Sequence, residues 1–559
     1  MATYYLGLST SGHDPALALV DEGGRVIFAE ATERFVQDKR AWGIAPDHVN
    51  HLEHALKAIG FDWAKDDLRV ASSWPVVKAE IPVQVSNAML PATDGMWLRS
   101  LQAQAQTNAG ASLLRLGLAT EMPNVLRFDH HLCHAVAACY QSPFQDADCL
   151  VVDGEGEVGA VSMFDIRGRS LKRRWRSWGP GSLGTFYAWL TMLCGFDWRL
   201  GEEWKVMGLA AYGQVLPDLA EALKPMLLVQ NGRLRFAEDA VVQAARAAAI
   251  PHARDRSEPL MKAADLAATG QAVYGYFLDQ IVGDIRSADI QSMVLTGGCA
   301  LNSSYNGTIA GRLGYDRVFV PSAPADDGNA VGAAVLAWML HTGAAAIPAS
   351  DGSPFLGSTA SGKTLDKVAA SAGGLKVTDV CGHAAQAVAQ RIAAGQIMGV
   401  MRGRAEFGPR ALGNRSIIAD PRPADMKDRI NRLVKGREPY RPFAPVVLAE
   451  DAENWFERAH LSPYMSFTQP WKASVRSRVP AVVHEDGSGR LQTVDSVTSS
   501  WMTDLVQHFG QITETPVLLN TSLNIMGKPI VHSVEDALGM LVTSGLDAVL
   551  IEDLLVEKP

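Results

Sequence analysis

Aliphatic runs cut short by acidic or glycine turns recur along this chain. In "YYLGLSTSGHDPALALVDEGGRVIFAEATE" one run enters the small-residue turn at 10–12, a second spans Ala16 to Val20, and a third spans Arg25 to Glu30. Short apolar runs bounded by Gly and Asp predict a strand meander. "CLVVDGEGEVGAVSMFDIRGRSLKRRWRS" repeats the design from Cys149.

A design met twice predicts a duplicated α/β architecture, of the kind in which paired actin-like lobes hold a nucleotide in the cleft between them. Two further runs, "SMVLTGGCALN" and "RVFVPSAPADDGNAVGAAVLAWML", each pass from strand to Gly turn to helix. Helix N-termini on such turns offer N–H groups to anions. Composition then changes in "TGAAAIPASDGSPFLGSTASG", which reads as a linker. The expected organisation is a first domain at 1–345, a linker at 346–362 and a second α/β domain at 363–559. The second domain continues through "AAQAVAQRIAAGQIMGVMRGRAEFGPRALG", a helix, a strand and a dense cationic turn.

"GSTASGKT" fits the phosphate-loop pattern letter for letter. A working phosphate loop sits between a buried strand and a helix. Here "PASDGSPFL" precedes it, with two prolines and little aliphatic character, so no central strand leads in. The expectation is that Ser361 or Thr364 caps the following helix.

With 559 residues, 47% apolar and 20% charged, the chain has ample material for a core. A net charge of −9 with no long basic run makes a polyanion-binding surface an unlikely default, and no nucleic acid is expected as partner. The first residues lack the basic and apolar regions of a signal peptide, and no apolar run is long enough for a membrane span. The six cysteines are scattered without a C-x-x-C pair, which disfavours a disulfide scaffold or zinc cage and favours a reduced, cytoplasmic setting.

Candidate chemistry falls in two regions. In "DHHLCHAVAACY", His130 and His134 are four apart, so both rings lie on one helix face, either sharing a metal or satisfied within the core. Asp153 and Asp326, on acidic Gly turns, could add carboxylates; imidazole with carboxylate and no thiolate suits iron, manganese or zinc. His13 stands on a Gly–Asp turn, where it acts as a base near neutral pH or bonds only locally. In the second region, "MRGRAEFGPRALGNRSIIADPR" carries Arg402, Arg404, Arg410, Arg415 and Arg422, followed by Lys435 and Arg441. Guanidiniums on rigid Gly turns suit a bidentate grip on phosphate or carboxylate. Arg490, Asn520 and Asn524 could orient the same ligand. The Gly297–Gly298 turn with Asn302 is expected to serve an anionic ligand such as a nucleotide phosphate.

Those second-region motifs, with "KGREPYRPFAP", "HEDGSGRLQTV" and "TPVLLNTSLNIMGKPIVHSVEDAL", resemble the ATP-dependent O-carbamoyltransferases of antibiotics and nodulation factors. "GHDPALALV", "ERFVQDK", "VVDGEGE", "EEWKVMGLAAYG", "GGCALN" and "ADDGNAVGAA" extend the resemblance over nearly the whole chain. It implies an actin-like (ASKHA) N-terminal part and a C-terminal part of the threonylcarbamoyl-AMP synthase type. Carbamoyl phosphate and ATP would give carbamoyl adenylate in the C-terminal part. The N-terminal part would pass the carbamoyl group to a hydroxyl of a small-molecule alcohol, as in natural-product tailoring. The resemblance implies Fe2+ or another divalent ion on His130, His134, Asp153 and Asp326, with Mg2+ as a second candidate ion. It assigns Arg410, Lys435, Arg441, Arg490, Asn520 and Lys39 to the anionic substrates and His13 to the acceptor proton. Asp326 rather than Asp327, and His130 rather than His131, keep the family spacing. A homodimer is compatible with the sequence.

Three rival readings are a sugar or acetate kinase, a tRNA threonylcarbamoyl transferase relative and a non-catalytic binding module. The kinase needs no second cationic domain, and the lack of a basic stripe argues against tRNA. The segments at about 75–118 and 214–262 are candidate walls for the acceptor, whose identity the sequence leaves open.

Overall fold

Strands β1 (Thr3–Leu8), β2 (Ala16–Val20) and β3 (Val26–Ala31) form an antiparallel meander, and β4 (Asp67–Ser72) and β5 (Leu126–Arg127) continue it in parallel from β1. The sheet order is β3-β2-β1-β4-β5. Strands β6 (Ala147–Val152), β7 (Val161–Arg167) and β8 (Ser170–Arg176) make a second meander. The hairpin of β9 (Leu227–Gln230) and β10 (Arg233–Phe236) stands apart, while β11 (Ser292–Thr296) and β12 (Arg317–Phe319) extend the second sheet in parallel from β6. Its order, β12-β11-β6-β7-β8, is the first order read from the other edge, so the two sheets share one topology. This is the duplicated layout of the actin-like fold, as the repeated meander predicts. The computed structural model describes residues 2–75, 89–371 and 373–559.

The helix Asn329–Thr342 brings the pieces of the site together. It packs on β1, β2 and the helix His130–Gln141. Two glycines permit this: a Cβ on Gly7 would strike the Ala330 and Ala334 backbone, and one on Gly332 would strike the Cys133 backbone. Tight approach fixes the start of the helix, and with it the Asp326–Gly328 turn, beside His130 and His134.

Residues 343–361 contain no helix or strand. The chain divides into one unit of Met1–Glu33 with Arg40–Gly352 and another of Arg34–Lys39 with Ser353–Pro559. The second unit holds β13 (Lys376–Asp379), β14 (Met398–Met401), β15 (Arg415–Ala419), β16 (Ala444–Leu448), β17 (Phe467–Pro470), β18 (Ser488–Val494), β19 (Val517–Ser522), β20 (Ala548–Ile551) and β21 (Leu554–Glu557). They form one mixed sheet, β13-β21-β20-β14-β15-β19-β16-β18-β17. Successive strand residues point to opposite faces. Ile417, Leu519 and Val549 therefore join a core with Trp455 and Trp471, while Ile418, Leu518 and Leu550 join another under the helices Ala384–Ala393 and Ser500–Thr513. A sheet covered on both faces explains its near-continuous apolar runs.

Candidate functional site

His130 and His134 lie on the first turns of the helix His130–Gln141, which Asp129 caps by accepting from Leu132 N (2.9 Å). Asp153 follows β6, and Asp326 opens the turn before the helix Asn329–Thr342. One ligand atom from each of these four buried residues lies within 4.8 Å of the others. Asp153 Oδ2 is 3.0 Å from His130 Nε2 and 3.2 Å from His134 Nε2. Asp326 Oδ1 is 3.5 and 3.4 Å from the same nitrogens, which are 3.2 Å apart.

These residues fit a divalent cation. Ligands about 2.1 Å from a common ion keep about 3 to 3.5 Å between one another, the range found here. Burial disfavours a charged His130, yet Asp326 and Asp153 overcome it and push its pKa well up. Burial also raises Asp153 and Asp326, but the imidazoles outweigh it and hold both carboxyls well below the usual range. The carboxylates that favour positive charge on these imidazoles would equally favour a divalent ion, so ion and protons would compete for the site. Asn329 stands behind His130, its Nδ2 3.1 Å from Nδ1, while its buried Oδ1 has no partner. A half-turn of this amide sets Oδ1 to accept Nδ1–H and leaves the Nε2 lone pair to a metal.

The structure separates the two competing acids and imidazoles. Asp327 caps Gly328 N (3.0 Å), and burial, with Asp14 and Glu33 nearby, pushes its pKa up to about 7. His131 turns away to Ser162 Oγ (2.7 Å), and burial lowers its pKa to about 3.

His13 Nε2 lies 3.7 Å from Asp326 Oδ2, at the edge of the cluster. Its Nδ1 is 2.9 Å from Asp14 Oδ2, and Arg40 donates to that same oxygen at 2.8 Å. Burial raises the Asp14 carboxyl, but Arg40 and His13 outweigh it and hold it well below the usual range. Asp14 (φ 46°) and Arg40 (φ 61°) both adopt left-handed backbone, a strain that clusters at functional sites. The sequence reading missed Asp14 and Arg40; the run "GHDP" held the signal for the first, but nothing local marks the second.

In the other unit, β16 runs between β18 and β19, with Val446 opposite Gln492 and Ala444 opposite Asn520. Arg490, two positions before Gln492, therefore stands near the start of β16, where the loop from Gly436 enters. Burial pushes the Arg490 guanidinium well down, and the facing Arg410, Arg437 and Arg441 push further. Burial lowers Arg410 to about 10. Asn520 Nδ2 donates to Ala411 O (3.1 Å) and Gln492 Oε1 (2.7 Å), which fixes the strand ends beside the Arg410 loop.

The profile "Carbamoyltransferase N-terminus" matches residues 4–335, and "Carbamoyltransferase C-terminus" matches residues 389–558. The chain belongs to the carbamoyltransferase family. This carbamoyltransferase is 30% identical over 614 residues to the uncharacterized protein sll1178 of Synechocystis, covering 100% of this chain and 97% of the relative. It is 32% identical over 580 residues to the nodulation protein NolNO of Sinorhizobium fredii, covering 98% and 80%. Full-length HypF in its phosphate- and nucleotide-bound form aligns with 62% of this chain and 47% of its own, at 12% identity and a TM-score of 0.37.

Other candidate residues of the enzyme have scaffold partners. Gly298 N donates to Asp153 Oδ1 (2.9 Å), so this amide orients a carboxylate of the buried cluster. Gly297, at φ 90°, donates to Pro324 O (2.9 Å). Asn302 caps the turn Ser303–Asn306 and pairs with Gln271 through both amide atoms (3.1 and 3.0 Å). Lys39 opens the turn Lys39–Ala41; the same segment, Arg34–Lys39, belongs to the second unit, where Arg34 Nη2 donates to Gly408 O (2.6 Å).

Of the five arginines in "MRGRAEFGPRALGNRSIIADPR", four have partners within the fold. Arg402 pairs with Asp553 (2.7 Å), and Arg422 pairs with Asp420 (2.7 Å). Arg404 donates to the Leu356 and Gly357 carbonyls, and buried Arg415 to those of Arg402, Gly403, Asn414 and Ser358. Buried Glu406 gathers the Leu412, Asn414 and Arg415 amides at 2.7, 2.8 and 3.1 Å. Ser361 accepts from Thr364 N and caps the helix Gly362–Ala370, as expected of the false phosphate loop. The wall foreseen at 75–118 lies partly outside the described residues. Within it, Trp97 of the helix Ala92–Asn108 packs on Trp42 (centroids 4.6 Å apart), which is 5.0 Å from the His13 ring. Among the described residues, no helix is long and apolar enough to cross a membrane.

Proposed function

We propose that the enzyme makes carbamoyl adenylate from carbamoyl phosphate and ATP in a domain spanning 363–559: water releases inorganic phosphate from carbamoyl phosphate, and an oxygen of the resulting carbamate displaces pyrophosphate from the α-phosphorus of ATP. A domain spanning 1–345 then passes the carbamoyl group to a hydroxyl of a small-molecule alcohol, the acceptor oxygen displacing AMP from the carbamoyl carbon, and 346–362 links the two. The observation that carries this reading is the gathering of Arg410, Arg437 and Arg441 around Arg490 at the start of β16. Cations kept together at such cost favour a polyanionic ligand, since each gains a partner when it binds.

Arg410, Arg441 and Arg490 would screen the repulsion between two anionic substrates. In the transfer step, Asp14 accepts Nδ1–H of His13 and keeps its Nε2 lone pair available for the acceptor proton. Trp42 beside His13 supports an acceptor ring. His130, His134, Asp153 and Asp326 would hold a divalent ion, iron on the family resemblance; when bound, it supplies a positive pole for a phosphate oxygen.

The test is carbamoyl-phosphate-dependent release of pyrophosphate from ATP without any acceptor. Release of ADP in its place would reject adenylate formation and favour a kinase.

A further inference from the structure

The helix Ala92–Asn108 lies directly on the turn that carries His13. Gly12 (φ 86°) makes this possible, because a Cβ there would stand 2.8 Å from Gln102 N and 2.9 Å from the Leu101 carbonyl carbon. Gly43, whose N–H donates to Gly12 O (3.0 Å), meets the Leu101 side chain in the same way, at 3.1 Å. Residues four apart share a helix face. Trp97 therefore falls one turn before Leu101 on the side that faces this loop, against Trp42.

Trp42 has little surface left to offer. The Arg40 guanidinium lies 4.8 Å over its ring, the His13 ring is 5.0 Å away, Trp97 is 4.6 Å away, and Trp198 meets it edge-on at 6.2 Å. Its indole N–H donates to Arg199 O (2.7 Å). Trp97 differs, with 37% of its surface exposed. The charged groups around this wall are already paired: Arg199 with Asp197 through two bonds of 2.9 Å, Arg99 with Glu155 (2.8 Å) and Arg40 with Asp14 (2.8 Å). Leu90, Leu98, Ala188 and Met192 pack with Trp42 and Trp198 into one apolar cluster. An indole face left in water forgoes about 25 cal/mol for each Å² of apolar burial, which a flat apolar ring would recover.

We propose that Trp97 selects the acceptor: its exposed indole face takes a flat, uncharged ring, and the alcohol so held directs its hydroxyl past Trp42 to His13 Nε2. The class this admits is a neutral aromatic alcohol. A sugar would bring hydroxyls that need partners, and the charged donors of this wall already have theirs. A polycation would meet Arg40 on the very ring it seeks. The inference rests on the reading of His13 as the base for a carbamoyl acceptor, but the contact with Trp97 is a binding event and is measurable apart from turnover.

Saturation-transfer NMR on the full chain tests it with three probes, a naphthylethanol, glucose and glucosamine, comparing wild type, Trp97→Ala, Trp97→Leu and the control Trp63→Ala. Trp63 is 39% exposed, much as Trp97 is, and packs on Phe61 (centroids 5.4 Å apart). Wild type is expected to bind the naphthylethanol more tightly than either sugar. Trp97→Ala should weaken that binding about tenfold or more, with Trp63→Ala unchanged. Leucine keeps an apolar contact on Trp42 without a flat face, so Trp97→Leu should match Trp97→Ala, and it decides should Trp97→Ala fail to fold. In turnover with carbamoyl phosphate and ATP, KM for the naphthylethanol should rise by the same factor while acceptor-free pyrophosphate release keeps its wild-type rate. Equal affinity in wild type and the Trp97 variants, no binding of the naphthylethanol to wild type, or tighter binding of glucose or glucosamine overturns the proposal. Binding that depends on Trp97 without any carbamate product refutes the transfer reading instead and leaves the Trp97 contact standing.

Discussion

Around Asp153 two imidazoles face two carboxylates; around Arg490 three further guanidiniums gather beside the carboxylate of Glu438. In the first group each carboxylate faces imidazoles on which it favours positive charge. The second stays unbalanced, and burial lowers the proton affinity of its members. A cluster of opposite charges is held in part by its own attractions, with the Gly298 amide and Asn329 fixing Asp153 and His130. An unbalanced one needs a rigid frame, which Glu406, Asn431, Asn520 and the four scaffold arginines provide. On this reasoning, loss of a residue from one cluster is expected to leave the other chemistry intact, and experiment can break that independence.

The largest effect is expected at His13. His13→Asn should slow carbamoyl transfer about 10²- to 10⁴-fold while acceptor-free pyrophosphate release stays near wild type; parallel loss of both, measured side by side, would contradict the division. Arg490→Ala should cut pyrophosphate release by roughly 10²- to 10³-fold with metal content unchanged. A protein that comes out metal-free would show that the clusters are coupled. His134→Ala should weaken divalent-metal binding more than the roughly hundredfold typical of an outer-shell change. Elemental analysis after dialysis reads this, and undiminished metal would reject the ligand set. The smallest effect sharpens the boundary of the second cluster: Ser361→Ala should cost about 1 kcal/mol of stability in denaturant melts and leave the affinity for ATP as it was. A large loss of ATP affinity would revive the phosphate loop.

Particular residues show how far the sequence could be read. Both meanders were legible because each strand is a short apolar run ended by Gly or Asp. His130 and His134 were legible as a pair because helical spacing puts four-apart residues on one face. The arginine-rich stretch was legible as an anion grip, but which of its arginines have scaffold partners was not. Arg404 and Arg415 bond to carbonyls far along the chain, at Leu356 and Ser358, and no local pattern reports that. Arg40 likewise reaches Asp14 across a turn of unusual backbone.

What the sequence by itself determined is the set of elements and the chemical types available to each cluster, because periodicity, turn residues and side-chain chemistry are local properties. Tertiary structure decided which donors remain free. It chose Asp326 over Asp327, gave the Gly298 amide to Asp153, occupied the Lys435 ammonium and left Nη2 of Arg437 without a partner. Each of these outcomes depends on an atom contributed from elsewhere in the chain, and a hydrogen-bond donor is defined as free only when every neighbour is in place.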